Sequence, residues 1–198
     1  MRELDIRVTA FTRISRKYSS YEGNIGKVAP NLVSRRFDSS IPHQKMTTDT
    51  TEFKYHETDI SGNIQIKKIY LDLFLDIFNR EIMSFRLSKQ PNGQTITSAL
   101  EKAIEATDNC KFRRTFHSDQ GWAYQMKAYS QKLKEHSIFQ NMSRKGNCIY
   151  NSPMENFFGI LKQDIYYGKA FRSYVELEQA IINSIHYYNH DRMKEKLN

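Results

Sequence analysis

The chain has 198 residues, enough for one sizeable domain or for one domain with a short arm. It carries 30 Lys and Arg against 22 Asp and Glu, and 13% of its residues are aromatic, a load that argues against intrinsic disorder. Its two cysteines are too few for a disulfide scaffold or a cysteine-rich zinc site, and no apolar run reaches the roughly 18 residues of a membrane span. A reduced, cytoplasmic protein without a membrane segment is therefore expected.

The net charge of +8 is concentrated at the N-terminus. Residues 1–45 contain nine Lys and Arg against four acids, and they show turn residues but little sustained periodicity. This pattern predicts a basic arm or linker over 1–44 and a folded domain over 45–198. A basic excess is typical of phosphate contact, and the alternative is a solvated tail.

The folded domain is predicted to begin with three antiparallel strands. Thr47–Tyr55 is rich in Thr and aromatic residues, and Ile64–Phe78 alternates apolar residues. A tight turn at Asn79-Arg80 leads to the partner strand Glu81–Leu87.

Helices and strands alternate in the rest of the chain. The predicted elements are the helix Thr95–Thr107, the strand Lys111–His117, the helix Trp122–Glu135, the strand His136–Asn141, a helix from Ser152 to about Tyr166 and a last helix Ser173–Asp191. The buried stripe of the last helix is predicted to comprise Val175, Leu177, Ile181, Ile185 and Tyr188. This order predicts an α/β fold with a mixed sheet and helices on both faces, the ribonuclease-H-like arrangement.

Three acids stand out by their placement. Asp49 lies inside the first strand, where Asp is unfavourable. Asp119 directly follows a strand, and Glu155 lies in the first turn of a helix. Each has an ordinary structural explanation, as an edge-strand charge, a turn residue or a helix N-terminal acid. Together they suit hard divalent cations, and a pair of Mg²⁺ ions can clamp both oxygens of a phosphodiester displacement.

The segments around these acids carry a resemblance to a known family. They are Thr48-Asp49-Thr50-Thr51-Glu52-Phe53, Asp76-Ile77-Phe78-Asn79-Arg80-Glu81-Ile82, His117-Ser118-Asp119-Gln120-Gly121-Trp122, Ser143–Cys148, Asn151–Phe158 with Leu161-Lys162, and Tyr187-Tyr188-Asn189 with Arg192. With 69 residues between the first two acids and 35 between the last two, the chain resembles the DDE transposases of bacterial insertion sequences, the OrfB type, within the retroviral-integrase superfamily. The resemblance covers roughly residues 17–197.

The resemblance implies Asp49, Asp119 and Glu155 as catalytic, metal-binding residues. It implies two Mg²⁺ ions, for which Mn²⁺ can substitute, and no small-molecule cofactor. The reaction implied is strand cleavage by water followed by attack of a DNA 3′-hydroxyl on a target phosphodiester. The implied partners are DNA, both as element ends and as target, and further copies of the chain on that DNA, in the bacterial cytoplasm at the nucleoid.

Five basic residues are candidates for DNA contact. Lys162 follows Glu155 by seven residues, two helical turns on, and is suited to hold a phosphate. Arg144 and Lys145 lie in a polar loop beside a glycine, and Arg35 and Arg36 lie in the segment that resembles the family's linker. For Lys162, Arg144 and Lys145, an ordinary solvated side chain is an equal alternative.

The sequence departs from the family at a few positions, among them Met46, Tyr150 and Asn156, none of which removes an acid. Compared with the family pattern, the chain is expected to be shortened at both ends, with residues 1–44 a remnant of an N-terminal DNA-binding region. Two alternatives to an active transposase core stay open. One is a catalytically inactive fragment that binds DNA or a full-length partner, and the other is a nuclease that acts on RNA–DNA hybrids.

Overall fold

The structure is a computed structural model that describes Ala29, residues 39–143 and residues 152–192. Its strands are β1 (Lys45–Thr58), β2 (Ile64–Asp76), β3 (Ile82–Ser88), β4 (Thr115–Ser118) and β5 (Phe139–Met142). Its α-helices are α1 (Gly93–Ala106), α2 (Lys127–Glu135), α3 (Ser152–Leu161) and α4 (Tyr174–His190). A 3-10 turn at Trp122–Gln125 precedes α2, and a π-helical segment at Lys162–Tyr166 continues α3.

The five strands form one mixed sheet in the order β3-β2-β1-β4-β5. The first three strands are antiparallel neighbours, whereas β4 pairs with β1 and with β5 in parallel. This topology confirms the predicted α/β fold class. It follows from the sequence pattern, because a hairpin turn joins antiparallel strands while a helix must carry the chain back to start a parallel one.

Two apolar cores lie on opposite faces of the sheet. Odd-numbered residues of β1 and β2, such as Phe53 and Leu73, pack against α3 and α4. Even-numbered residues, such as Met46 and Phe74, pack against α1 and α2. The predicted helices on both faces are therefore confirmed, and the period-2 alternation of the strands decides which side chain serves which core.

β1 and β2 are longer than the sheet they belong to. β4 pairs with β1 only as far as Thr47, and β3 pairs with β2 from Tyr70 onwards. The remaining ends, Lys54–Thr58 and Ile64–Lys68, pair with each other and form a two-stranded ribbon, joined by residues 59–63. We call this segment the ribbon.

Several predicted boundaries differ from the structure. The helix predicted over Trp122–Glu135 is interrupted at Met126, whose backbone is extended, with φ −63° and ψ 141°. The helix predicted to reach Tyr166 changes to π-helical geometry at Lys162. The prediction that Val175 is buried is wrong: its exposure is 68%. Residues separated by two positions face opposite sides of a helix, so Val175 and the fully buried Leu177 cannot share one stripe.

Other predictions concern residues that the structure does not describe. The basic arm over 1–44 falls there except for Ala29 and residues 39–44, and so does most of the polar loop over 143–151. Within the described ranges, no helix has the length and apolar character that crossing a bilayer requires.

Candidate active site

Asp49 lies in β1 just beyond the last residue pair with β4. Its side chain is on the sheet face covered by α3, the face of Phe53, and it is partly buried. The backbone N–H of Thr50 donates to Asp49 Oδ1 at 2.7 Å. Because β4 pairs with β1 only as far as Thr47, it does not cover the edge of β1 beside this carboxylate.

Asp119 reaches the same place from β4. Thr47 of β1 is paired with His117 of β4 in parallel, and Asp49 and Asp119 each follow that pair by two residues. Parallel strands end at a common edge of the sheet, so the two carboxylates lie at one end of the β1–β4 pair. Both residues border a cavity of about 250 Å³ at this edge, which Ile96 of α1 lines as well.

The turn after β4 holds Asp119 in a defined position. The N–H of Gly121 donates to Asp119 Oδ1 at 2.8 Å. A Cβ on Gly121 would lie 2.9 Å from that oxygen and 3.2 Å from a ring carbon of Tyr124, so a side chain does not fit here. Gln120 Nε2 donates to the carbonyl of Ser143 at 2.9 Å and ties the turn to the end of β5.

Glu155 comes from the first turn of α3 and is exposed. The buried side of the same helix, including Met154 and Phe157, packs into the core beneath β1 and β2 and fixes the helix over that face. The carboxylate is therefore carried at the start of a helix whose opposite side is anchored.

The electrostatics join these groups into one site. Burial raises the pKa of the Asp49 carboxyl to about 8, and the negative charges of Asp119 and Glu155 raise it as well. The Thr50 N–H and the positive charge of Lys162 act in the opposite direction. Burial also raises the pKa of Asp119, against the effect of the Gly121 N–H. Asp49 thus interacts with the other two acids that the sequence singles out and with Lys162.

The donor set is of the type that Mg²⁺ and Mn²⁺ prefer, because it consists of carboxylate oxygens. These carboxylates repel one another when they are charged, and a cation would offset that repulsion. The side chains are not drawn together into a finished ligand shell. Across residues 39–143 and 152–192, no three His, Cys, Asp or Glu side chains converge closely enough to hold a metal ion.

Lys162 lies against the same face of β1. Its Nζ donates to Thr51 Oγ1 at 2.5 Å and lies 5.2 Å from the centroid of the Phe53 ring. The structure therefore brings Lys162 near Asp49, as its effect on the pKa of that carboxyl also indicates. The other basic candidates, Arg35, Arg36, Arg144 and Lys145, lie outside the described residues.

Sequence reasoning missed a fourth acid beside the site. Asp72 of β2 is 3% exposed and lines the same cavity as Asp49 and Asp119. It accepts a hydrogen bond from Thr50 Oγ1 at 2.6 Å, across the direct pairing of the two residues, and burial raises its pKa to about 6. The available signal was its position as an acid inside the longest apolar run of the chain.

Comparisons with known proteins agree with this fold. Two models described as "Integrase core domain" match residues 39–148 and residues 155–197. An uncharacterized transposase-like protein of Haemophilus influenzae is 46% identical over 92% of this chain and 80% of its own length. The transposase InsK for insertion sequence element IS150 of Escherichia coli is 40% identical over 92% of this chain, which spans 61% of that protein.

A solved structure gives the same result at the level of the fold. The HTLV-2 integrase catalytic core domain superposes with a TM-score of 0.56 at 17% identity, covering 79% of this chain and 93% of that one. The chain belongs to the integrase core domain family, as a transposase catalytic core of the OrfB type found in bacterial insertion sequences.

Proposed function

We propose that this chain performs metal-dependent DNA strand cleavage and strand transfer, with Asp49, Asp119 and Glu155 as the metal-binding catalytic residues. The observation that carries the proposal is the parallel pairing of Thr47 with His117, beyond which Asp49 and Asp119 both lie at one edge of the sheet. Asp49 is also within electrostatic reach of Glu155. The HTLV-2 integrase core was solved in complex with magnesium, which supports the same choice of ion.

The roles of the residues follow from their chemistry. Mg²⁺, or Mn²⁺ in its place, would supply Lewis-acid stabilisation of the attacking and leaving oxygens when bound by the three carboxylates. Burial of Asp49 and Asp119 lowers the dielectric around them, which strengthens their attraction for a cation. The Thr50 and Gly121 N–H groups orient one oxygen of each carboxylate, and Lys162 offers a positive charge to a DNA phosphate on the α3 side.

The substrate proposed is DNA, as element ends and as target, bound by more than one copy of the chain. A basic protein of net charge +8 has the electrostatic character for phosphate binding. Action on bacterial DNA would take place in the cytoplasm, at the nucleoid.

The deciding experiment compares the wild type with Asp119→Asn on supercoiled plasmid in Mg²⁺ and in Mn²⁺. We expect metal-dependent nicking by the wild type and a loss of at least about a hundredfold in the variant, because even residues that merely support a metal ligand are worth 10–100-fold. Bound Mn²⁺, measured by electron paramagnetic resonance, should fall in parallel.

Glu155→Gln and Glu105→Gln provide a matched pair, because both remove the charge of an exposed helical glutamate. The first should lose nicking and the second should retain it. Equal nicking by Asp119→Asn and the wild type would refute the assignment. Salt-sensitive DNA binding without nicking by the wild type would instead favour the alternative of an inactive, DNA-binding fragment.

A further inference from the structure

The ribbon has two faces of different character. On one face, the pairs Lys54 with Lys68, His56 with Ile66 and Thr58 with Ile64 lie directly opposite each other, and all six residues are exposed. We call these six residues the basic face of the ribbon. On the other face, the chain buries Tyr55 against the core of α3 and α4.

The basic face lowers the stability of the protein when nothing is bound to it. Two lysines directly opposite each other destabilise an antiparallel pair. Ile64 and Ile66 are 70% and 65% exposed, so folding does not benefit from their apolar surface. Among the described residues, the ion pair found on this side is that of Lys68 with Glu52, at 2.9 Å. This face therefore joins two facing lysines, of which Lys68 has Glu52 as a partner, to exposed isoleucines, and it suits a ligand that is anionic and has apolar parts.

We propose that the basic face of the ribbon binds duplex DNA beside the reacting phosphodiester. Lys54 and Lys68 would contact phosphates, while Ile64 and Ile66 would pack against sugars or base edges in a groove, since a two-stranded ribbon fits the major groove and apolar side chains are accepted by DNA grooves. This inference rests on the proposed function, because it specifies where the DNA substrate of that site continues.

The position of the ribbon suits this partner better than a second protein chain. Lys54 and Lys162 line one open cavity of about 400 Å³ together with Glu52 and Tyr166, so the ribbon shares an open surface with the lysine that acts on the charge of Asp49. Along β1, Lys54 lies about 16 Å and Thr58 about 30 Å from Asp49, at about 3.3 Å per residue. At 3.4 Å per base pair, these distances correspond to about five to nine base pairs of duplex.

Two adjacent lysines allow a matched test. Lys68 pairs with Glu52 at 2.9 Å and has 48% side-chain exposure; Lys67, on the other face, pairs with Glu57 at 2.8 Å and has 47% exposure. Lys68→Gln and Lys67→Gln therefore each lose one exposed charge and one ion pair of the same kind. They differ in the face of the ribbon that they alter.

The measurement is the affinity for a fluorescein-labelled duplex of random sequence as a function of salt concentration. Each phosphate contact contributes about −0.9 to the slope of log K against log[salt]. Lys54→Gln and Lys68→Gln should each make the slope less steep by about one, and Lys67→Gln should leave it unchanged. The double variant Ile64→Ser/Ile66→Ser should bind severalfold more weakly with the slope unchanged.

The outcomes separate the inference from the proposed function. Equal slopes for Lys68→Gln, Lys67→Gln and the wild type, with plasmid nicking intact, would overturn the ribbon as a DNA contact and leave the proposed function standing. Absence of both salt-dependent binding and nicking in the wild type would overturn both. Loss of self-association in the Ile64→Ser/Ile66→Ser variant, with unchanged DNA affinity, would identify the ribbon as a contact between chains and would also overturn the inference.

Discussion

The two faces of strand β2 bury different chemistry. Towards α3 and α4 the strand presents Leu71, Leu73 and Leu75, all fully buried in one apolar cluster. Towards α1 and α2 it presents Asp72 and Asp76 on either side of Phe74, and both acids are buried as well. One strand thus supplies an apolar floor beneath the helix that carries Glu155, and a hydrogen-bonded polar layer behind Asp49.

The polar layer is tolerated because its acids have partners. Asp76 accepts the backbone N–H groups of His43 and Phe78 at 2.9 and 3.0 Å, and Asp72 accepts the hydroxyl of Thr50. Buried polar groups cost little when hydrogen-bonded and much when they are not. β2 therefore contributes to stability mainly through its α3 side, whereas its α1 side holds carboxylates beside the site at a cost in stability.

The apolar face offers the largest expected effect. Leu73→Ala should lower the free energy of unfolding by about 3 kcal/mol, because it removes a fully buried side chain and leaves a cavity between β2 and the helices. Urea denaturation monitored by circular dichroism measures the loss. A change below about 1 kcal/mol would contradict the assignment of this face as the main source of stability.

The polar layer on the α1 side of β2 should make the stability of the protein depend on pH. Burial raises the pKa of Asp72 to about 6, above the roughly 3.9 of an unfolded Asp. The neutral carboxyl is therefore favoured in the folded protein. Its contribution to the free energy of unfolding is fully present below about pH 4 and is lost as the pH rises through 6. The effect is on the order of 3 kcal/mol, from two pKa units at 1.36 kcal/mol each.

Asp72→Asn should remove this dependence. The variant keeps an oxygen that can accept the Thr50 hydroxyl, so it should gain stability relative to the wild type between pH 4 and pH 7. The measurement is the difference in unfolding free energy between the two proteins across that range, in which titrations shared by both cancel. A difference that does not change with pH would mean that the pKa of Asp72 is the same in the folded and the unfolded protein, and it would contradict the effect of burial on this carboxyl.

The sequence predicts the apolar side of this comparison better than the polar side. Alternating apolar residues over 64–78 predict β2, and the acids at positions 49 and 119 are noticeable because they interrupt or directly follow strands. The contact of Asp72 with Thr50 depends on the register of β1 with β2, and a slip of one residue would turn Asp72 to the other face. Register is set by the pairing of distant segments, so the local pattern cannot supply it.

Helix geometry limits prediction in a similar way. The break at Met126 occurs without a glycine or proline to indicate it, and the π-helical segment after Leu161 has no sequence signal that we recognise. The 3-10 turn before the break lines the cavity at the candidate site, and the π-helical segment begins at Lys162, which contacts Thr51. The sequence accordingly predicts which elements exist, and it misses where one helix is interrupted and where another becomes π-helical.

The smallest expected effect concerns α4, where sequence periodicity misplaces one side chain. Val175 is exposed, whereas Ile181 is fully buried in the cluster beneath α4. Val175→Ala should change the unfolding free energy by less than about 0.5 kcal/mol, and Ile181→Ala should lower it by about 2–4 kcal/mol. Both substitutions produce Ala in the same helix, so propensity differences between them are small. Equal losses for the two variants would mean that Val175 is covered in solution and that the outer side of α4 is also an apolar contact surface.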